Sequence, residues 1–69
     1  MIGTELRKAR EGAGLTQLQV AKAAGLHRTY ISLLERDKKS PTVDVLFRLC
    51  SAIGIKPSRF VARLERDSR

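Results

Sequence analysis

Aromatic residues, cysteine and proline are all scarce in this sequence. Aromatics make up 4% of its 69 residues, there is one cysteine, and there are two prolines. A single cysteine, Cys50, excludes a disulfide framework, a cysteine zinc site and a Cys-x-x-Cys redox pair. No apolar run approaches the roughly 18 residues that suggest a membrane span. The start, Met1-Ile2-Gly3-Thr4-Glu5, has neither the basic region nor the apolar stretch of a secretory leader. These absences fit a reducing, cytoplasmic compartment. Acidic residues are scarce too: seven against 14 Lys and Arg leave a formal charge of +7. Such a charge suits a polyanion partner without choosing among nucleic acid, an anionic membrane surface and simple solubility.

What is present is helical periodicity. With 42% hydrophobic residues the chain is too apolar for a disordered basic tail, and its length suits one domain, 1–69, with one small core. Strand-like alternation is not sustained anywhere. The first helix is read over about 3–12, with Ile2, Leu6, Ala9 and Ala13 on one face and Gly12-Ala13-Gly14 ending it. The second starts from Thr16 as N-cap, with Thr16-x-x-Gln19 as a capping box and Gly25 as its stop. The third runs from His27 or Arg28 to about Arg36 with Ile31 and Leu34 inward. The charged loop Asp37-Lys38-Lys39-Ser40-Pro41 follows. The fourth runs from an N-cap at Thr42 to Gly54, with Leu46, Leu49, Cys50 and Ile53 forming the cleanest apolar stripe. The fifth covers about 57–66, with Phe60, Val61 and Leu64 apolar and a charged, frayed end from Glu65 to Arg69.

Helices two and three, joined by Gly25-Leu26-His27, form a helix-turn-helix unit over about 17–36. Ala21 lets the helices approach, Gly25 takes a turn where a β-carbon would clash, and Ile31 fills the wedge between them. That three-residue pattern is far more specific than any lone glycine.

The run Thr16-Gln17-x-x-Val20-Ala21-x-x-Ala24-Gly25-Leu26-His27-Arg28-Thr29-Tyr30-Ile31-Ser32-x-Leu34-Glu35-Arg36 resembles the Cro and phage-repressor, or Xre-like, helix-turn-helix family. Leu6-Arg7-x-x-Arg10-x-x-x-Gly14-Leu15 upstream and Pro41-Thr42 with Leu46-x-x-Leu49-Cys50-x-x-Ile53-Gly54-Ile55 downstream extend the likeness to about 3–64. Within the family, Gly25 to Ser32 is similar to the controller proteins of restriction–modification systems, and also to other small phage and plasmid regulators. The resemblance implies an all-α, five-helix, lambda-repressor-like fold that binds a palindromic operator in double-stranded DNA as a homodimer, with helix three in the major groove.

Residue roles follow from that implication. Arg28, Thr29, Ser32 and Leu33 are expected to meet base edges, Leu33 through a thymine methyl or simply by resting on the protein surface. Gln17, Tyr30, Arg36, Lys38 and Lys39 are expected at phosphates, with Lys22 a weaker candidate. Arg10 and Glu35 are implied as an ion pair bracing helix one against helix three. Ile55, Phe60, Val61 and Leu64 are the expected dimer seam. Two departures stand out. Leu33 replaces a polar or very small residue, and Asp37 stands where many relatives have glycine, so the loop is expected to differ in shape. Leu18 and Phe47 fall at positions that are normally solvated, as a partner patch or as scattered surface hydrophobes.

His27 is read as a cap or surface residue and Cys50 as a small buried hydrophobe. Neither a metal, a cofactor nor a small-molecule ligand is expected, the length leaving no room for a sensor domain. The leading function is a DNA-binding transcription regulator, activator or repressor. The alternative is an antitoxin or protein-interaction module of the same fold. A coactivator-like bundle is disfavoured by Arg28-Thr29-Tyr30, and an enzyme by the lack of any nucleophile, base and oxyanion constellation.

Overall fold

A computed structural model describes residues 2–67 and contains five α-helices: α1 (Ile2–Gly12), α2 (Gln17–Ala24), α3 (Arg28–Glu35), α4 (Val43–Ile53) and α5 (Pro57–Asp67). The local signals act where they stand. Thr42 Oγ1 accepts from the Val45 N–H at 3.2 Å and so starts α4. Gly54 ends it in the left-handed region at φ +87°, which a glycine enters without steric cost.

The core gathers one stripe from each helix. Leu6, Val20, Ala21, Ala24, Ile31, Leu34, Leu49, Cys50 and Phe60 are buried together, with Leu46, Ile53, Ile55 and Leu64 packed against them. Small residues on α2 let it lie close to both α3 and α4, while Phe60 carries most of the bulk that α5 contributes. Burial pushes the Cys50 thiol above its ordinary pKa, because the thiolate would lose its hydration there. At the far end, Asp67 sits below the usual carboxylate range. A side-chain hydrogen bond with Glu5 is the main cause, opposed by desolvation and helped by Arg66 and Lys8.

Three expectations need correction. Phe60 cannot serve a dimer seam, because it is 0% exposed and filled into its own chain's core. Ala13 lies beyond the end of α1 and is exposed rather than on a buried face. The end of the chain is helical through Asp67, whereas Arg69 lies outside the described residues. No helix among the described residues is long and apolar enough to cross a membrane.

Candidate nucleic-acid interface

The α2–turn–α3 unit begins with a closed capping box. Thr16 Oγ1 accepts from the Gln19 N–H at 3.1 Å, and Gln19 Oε1 accepts from the Thr16 N–H at 2.8 Å. At the other end of α2, Gly25 is left-handed at φ +70°. A β-carbon there would come nearest to Arg48 Nη2 at 3.1 Å, the movable end of a side chain. Gly25 is therefore required by its backbone conformation, not by the steric clash the sequence suggested. Arg48, reaching over from α4, donates from Nε to the Ala24 carbonyl at 3.1 Å and from Nη2 to the Gly25 carbonyl at 3.2 Å. It satisfies carbonyls that the end of α2 leaves without helical partners. Ala21 is buried at the crossing, its carbonyl accepts from the Leu26 N–H at 2.8 Å, and Ile31 is buried on the facing side of α3.

His27 stands at the N-cap of α3 with extended backbone, but its side chain makes no capping hydrogen bond. The helix then divides cleanly. Ile31, Leu34 and Glu35 face inward and are buried, Arg28 and Thr29 are exposed, and Tyr30, Ser32 and Leu33 are half-buried between the two faces. Lys39 places its ammonium 5.9 Å from the centre of the Tyr30 ring, within cation–π range. Arg36 bends back so that Nε donates to the Ser32 carbonyl at 3.4 Å. Arg36, Lys38 and Lys39 are all exposed directly after the helix. From Lys22 to Lys39 the sequence has five basic and two acidic residues. One of those acids, Glu35, is buried and paired, so the solvent-facing side of the unit is more basic than the count suggests.

Glu35 is the hub that fixes α3 to its neighbours. Arg10 on α1 donates to it from Nε at 2.6 Å and from Nη2 at 2.9 Å, a two-point contact with planar geometry. Arg10 Nη1 also donates to the Leu15 carbonyl at 2.9 Å. Gln17, the first residue of α2, donates from Nε2 to Glu35 Oε1 at 3.1 Å. The hydrogen bond to Glu35 raises the Arg10 pKa above its ordinary value despite the opposing cost of burial, so the guanidinium stays charged. Helices α1, α2 and α3 thus meet at one carboxylate, and no buried side-chain polar atom among the described residues lacks a partner.

The loop after α3 starts from a left-handed residue that is not glycine. Asp37 has φ +57°. Its N–H donates to the Leu34 carbonyl at 3.1 Å and the Lys38 N–H donates to the Leu33 carbonyl at 2.9 Å, which is the paired pattern of a Schellman helix end. An L-residue in this conformation costs about 1 kcal/mol relative to glycine, least for Asp and Asn. The Asp37 carboxylate accepts from the Gly3 N–H of α1 at 2.9 Å. Gly3 is itself tightly held, since a β-carbon there would lie 2.5 Å from the Leu34 carbonyl oxygen and 2.6 Å from that of Glu35.

Arg48 and Gly3 are structural residues that sequence reasoning missed; Asp37 was singled out, but it takes the left-handed helix end a glycine would take, and its bond to Gly3 was not foreseen. Arg48 lies off the apolar stripe of α4, and its acceptors are 23 and 24 positions away. The usable signal for Asp37 was its place at a helix C-terminus, a site that favours glycine or a short amide or acid. Among the residues expected at a dimer seam, Val61 is 46% exposed and Ile55 and Leu64 are half-buried. Leu18 and Phe47 are exposed, as is Val43.

A helix-turn-helix family pattern matches residues 6–60. The chain belongs to the Xre-like helix-turn-helix family. It is 36% identical over 55 residues to the uncharacterized HTH-type transcriptional regulator y4dJ of Sinorhizobium fredii, covering 80% of this chain and 71% of that protein. It is 35% identical over 60 residues to the immunity repressor of Bacillus phage phi105, covering 87% of this chain but only 42% of the repressor. The solved structure of the restriction–modification controller C.AhdI from Aeromonas hydrophila superposes with a TM-score of 0.82 at 30% identity, covering 86% of this chain and 89% of that one. The Xre-like proteins are DNA-binding transcriptional regulators rather than enzymes.

Proposed function

We propose that this chain regulates transcription by binding a palindromic operator as a homodimer, with α3 in the major groove. One observation carries the reading. The exposed side of α3 presents Arg28 and Thr29, flanked by Arg36, Lys38 and Lys39, while the opposite side is locked by Ile31, Leu34 and Glu35. A helix so held fits the roughly 12 Å major groove with its N-terminal residues toward the bases.

In this arrangement Arg28 reads a guanine through its paired donors, a contact worth about 1–3 kcal/mol of discrimination. Thr29 and Ser32 bond base edges, and Leu33 meets a thymine methyl. Gln17 gives one amide hydrogen to Glu35 and keeps the other for a phosphate at the N-terminus of α2, where the helix dipole favours an anion. Tyr30, Arg36, Lys38 and Lys39 hold the backbone and set the register rather than the sequence. Val61, with Ile55 and Leu64 beside it, forms the two-fold seam, and a two-fold protein matches a palindrome. Phe60 supports that seam from within the core.

The test is an unbiased selection of duplexes by the purified protein. The expected product is an inverted repeat with half-sites about one helical turn apart, or a multiple of that spacing. Enrichment of single, unrepeated half-sites would contradict the homodimer, and no enrichment at all would contradict sequence-specific binding.

A further inference from the structure

We infer that Asp37 is a positioning residue for the phosphate-holding loop: its carboxylate latches the start of α1 and thereby sets the path of Lys38 and Lys39. The inference deepens the DNA-binding reading and rests on it. Three features meet at one point. Asp37 is the non-glycine residue with positive φ among the described residues, its side chain accepts from the Gly3 N–H at 2.9 Å, and it stands between Arg36 and the Lys38-Lys39 pair.

Each feature is costly unless the latch has a purpose. An acidic side chain between cations repels the polyanion those cations attract. A left-handed L-residue is less comfortable than the glycine that usually ends a helix this way. Glycine would remove both disadvantages but would forfeit the bond to Gly3. The contact also suits both helix ends. The Gly3 N–H belongs to the first turn of α1, where N–H groups lack helical partners, and a carboxylate is favoured there. The same turn of α1 lies against the Leu34 and Glu35 carbonyls, so close that Gly3 has no room for a β-carbon. The start of α1 and the end of α3 therefore form one fixed corner, and the loop leaves from that corner.

Two variants separate positioning from charge. Asp37→Asn keeps an oxygen acceptor and tolerates the left-handed conformation, but loses the charge. Asp37→Gly suits the backbone and loses both acceptor and charge. Binding is measured at a temperature where all three proteins are fully folded, against the duplex selected by the wild type and against a random duplex, across a salt series. Exchange of the Gly3 amide is followed in the free proteins. The expected result is that Asp37→Asn binds at least as tightly as the wild type and keeps the Gly3 amide protected. Asp37→Gly is expected to bind the selected duplex more weakly, by up to roughly tenfold, because the loop that this charge-assisted hydrogen bond holds in place must then be ordered on binding. Its slope of log affinity against log salt should be shallower by about one unit or more as the lysines disengage, and its Gly3 amide should exchange faster. If both variants tighten binding alike, Asp37 acts only as a charge and the latch is overturned. Unchanged Gly3 exchange in Asp37→Gly overturns it as well. A wild type that binds neither duplex removes the DNA-binding reading, and the latch's role with it, a result distinct from the other two.

Discussion

Two regions of this small fold, the surroundings of α3 and the packing of α5, are held by different balances of force. Around α3 the ties are directional: Arg10 and Gln17 converge on Glu35, Arg48 closes the end of α2, and Asp37 reaches Gly3. Burial is shared by both regions, since Val20, Ala21 and Leu34 are as deeply buried as Leu49, Cys50 and Phe60, but where α5 meets the core it is the main tie. Hydrophobic burial is strong but non-directional, and it tolerates small slides and rotations. Hydrogen bonds add little net stability but penalise misplacement, because a buried group left unpaired is expensive. The directional ties therefore sit where a helix must be presented at a fixed angle, and the permissive ones where mass is needed.

That contrast can be broken at the apolar end first. Phe60→Ala should cost about 4 kcal/mol, a large fraction of the stability of so small a domain, and chemical denaturation should show most of its cooperativity gone. A loss under about 1 kcal/mol would mean that α5 is not part of the core. At the polar end, Arg10→Ala should cost about 3 kcal/mol by stranding the Glu35 carboxylate. The double change Arg10→Met with Glu35→Leu should recover much of that loss in denaturation, yet still bind operator DNA more weakly, because Gln17 loses its partner too. Stability and affinity falling and recovering together would erase the proposed division of labour.

Smaller effects are expected at the glycines of α1. Gly3→Ala drives a β-carbon into backbone oxygens of α3 that cannot simply swing aside, and should cost about 1–3 kcal/mol in thermal or chemical unfolding. Gly12→Ala, where nothing lies within 4 Å, should be neutral or mildly stabilising. The smallest effect is a pH dependence. The Cys50 thiol has a raised pKa when folded, so its contribution is full below the unfolded thiol value near 9.0 and is lost as pH rises past it toward the folded value. Cys50→Ala should remove that alkaline decline, and the wild-type thiol should react with alkylating reagents only on unfolding.

The five helices were legible because their signals are local. Thr16 with Gln19, Gly25, Thr42 and Gly54 each act within a few residues, and the caps stand at those positions in the structure. The apolar rhythm of α4 likewise placed Leu49 and Cys50 inward. What the rhythm could not resolve was α5. Phe60 and Val61 are adjacent and both apolar, but a helix turns about 100° between them, so one enters the core and the other faces out. The ties at Arg48 and Asp37 were invisible for another reason. Their partners are 23 to 34 positions away, and no local pattern distinguishes a solvated charge from one that finds a backbone atom across the fold.

In the proposed function, the exposed face of α3 reads DNA sequence while the basic residues after it hold the backbone. Arg28→Ala tests it most directly, with affinity measured for the selected operator and for a random duplex at the same salt. Operator affinity should fall by about 1–3 kcal/mol while random-duplex affinity changes far less. Equal losses on both duplexes would make Arg28 another phosphate contact and would contradict base reading by α3.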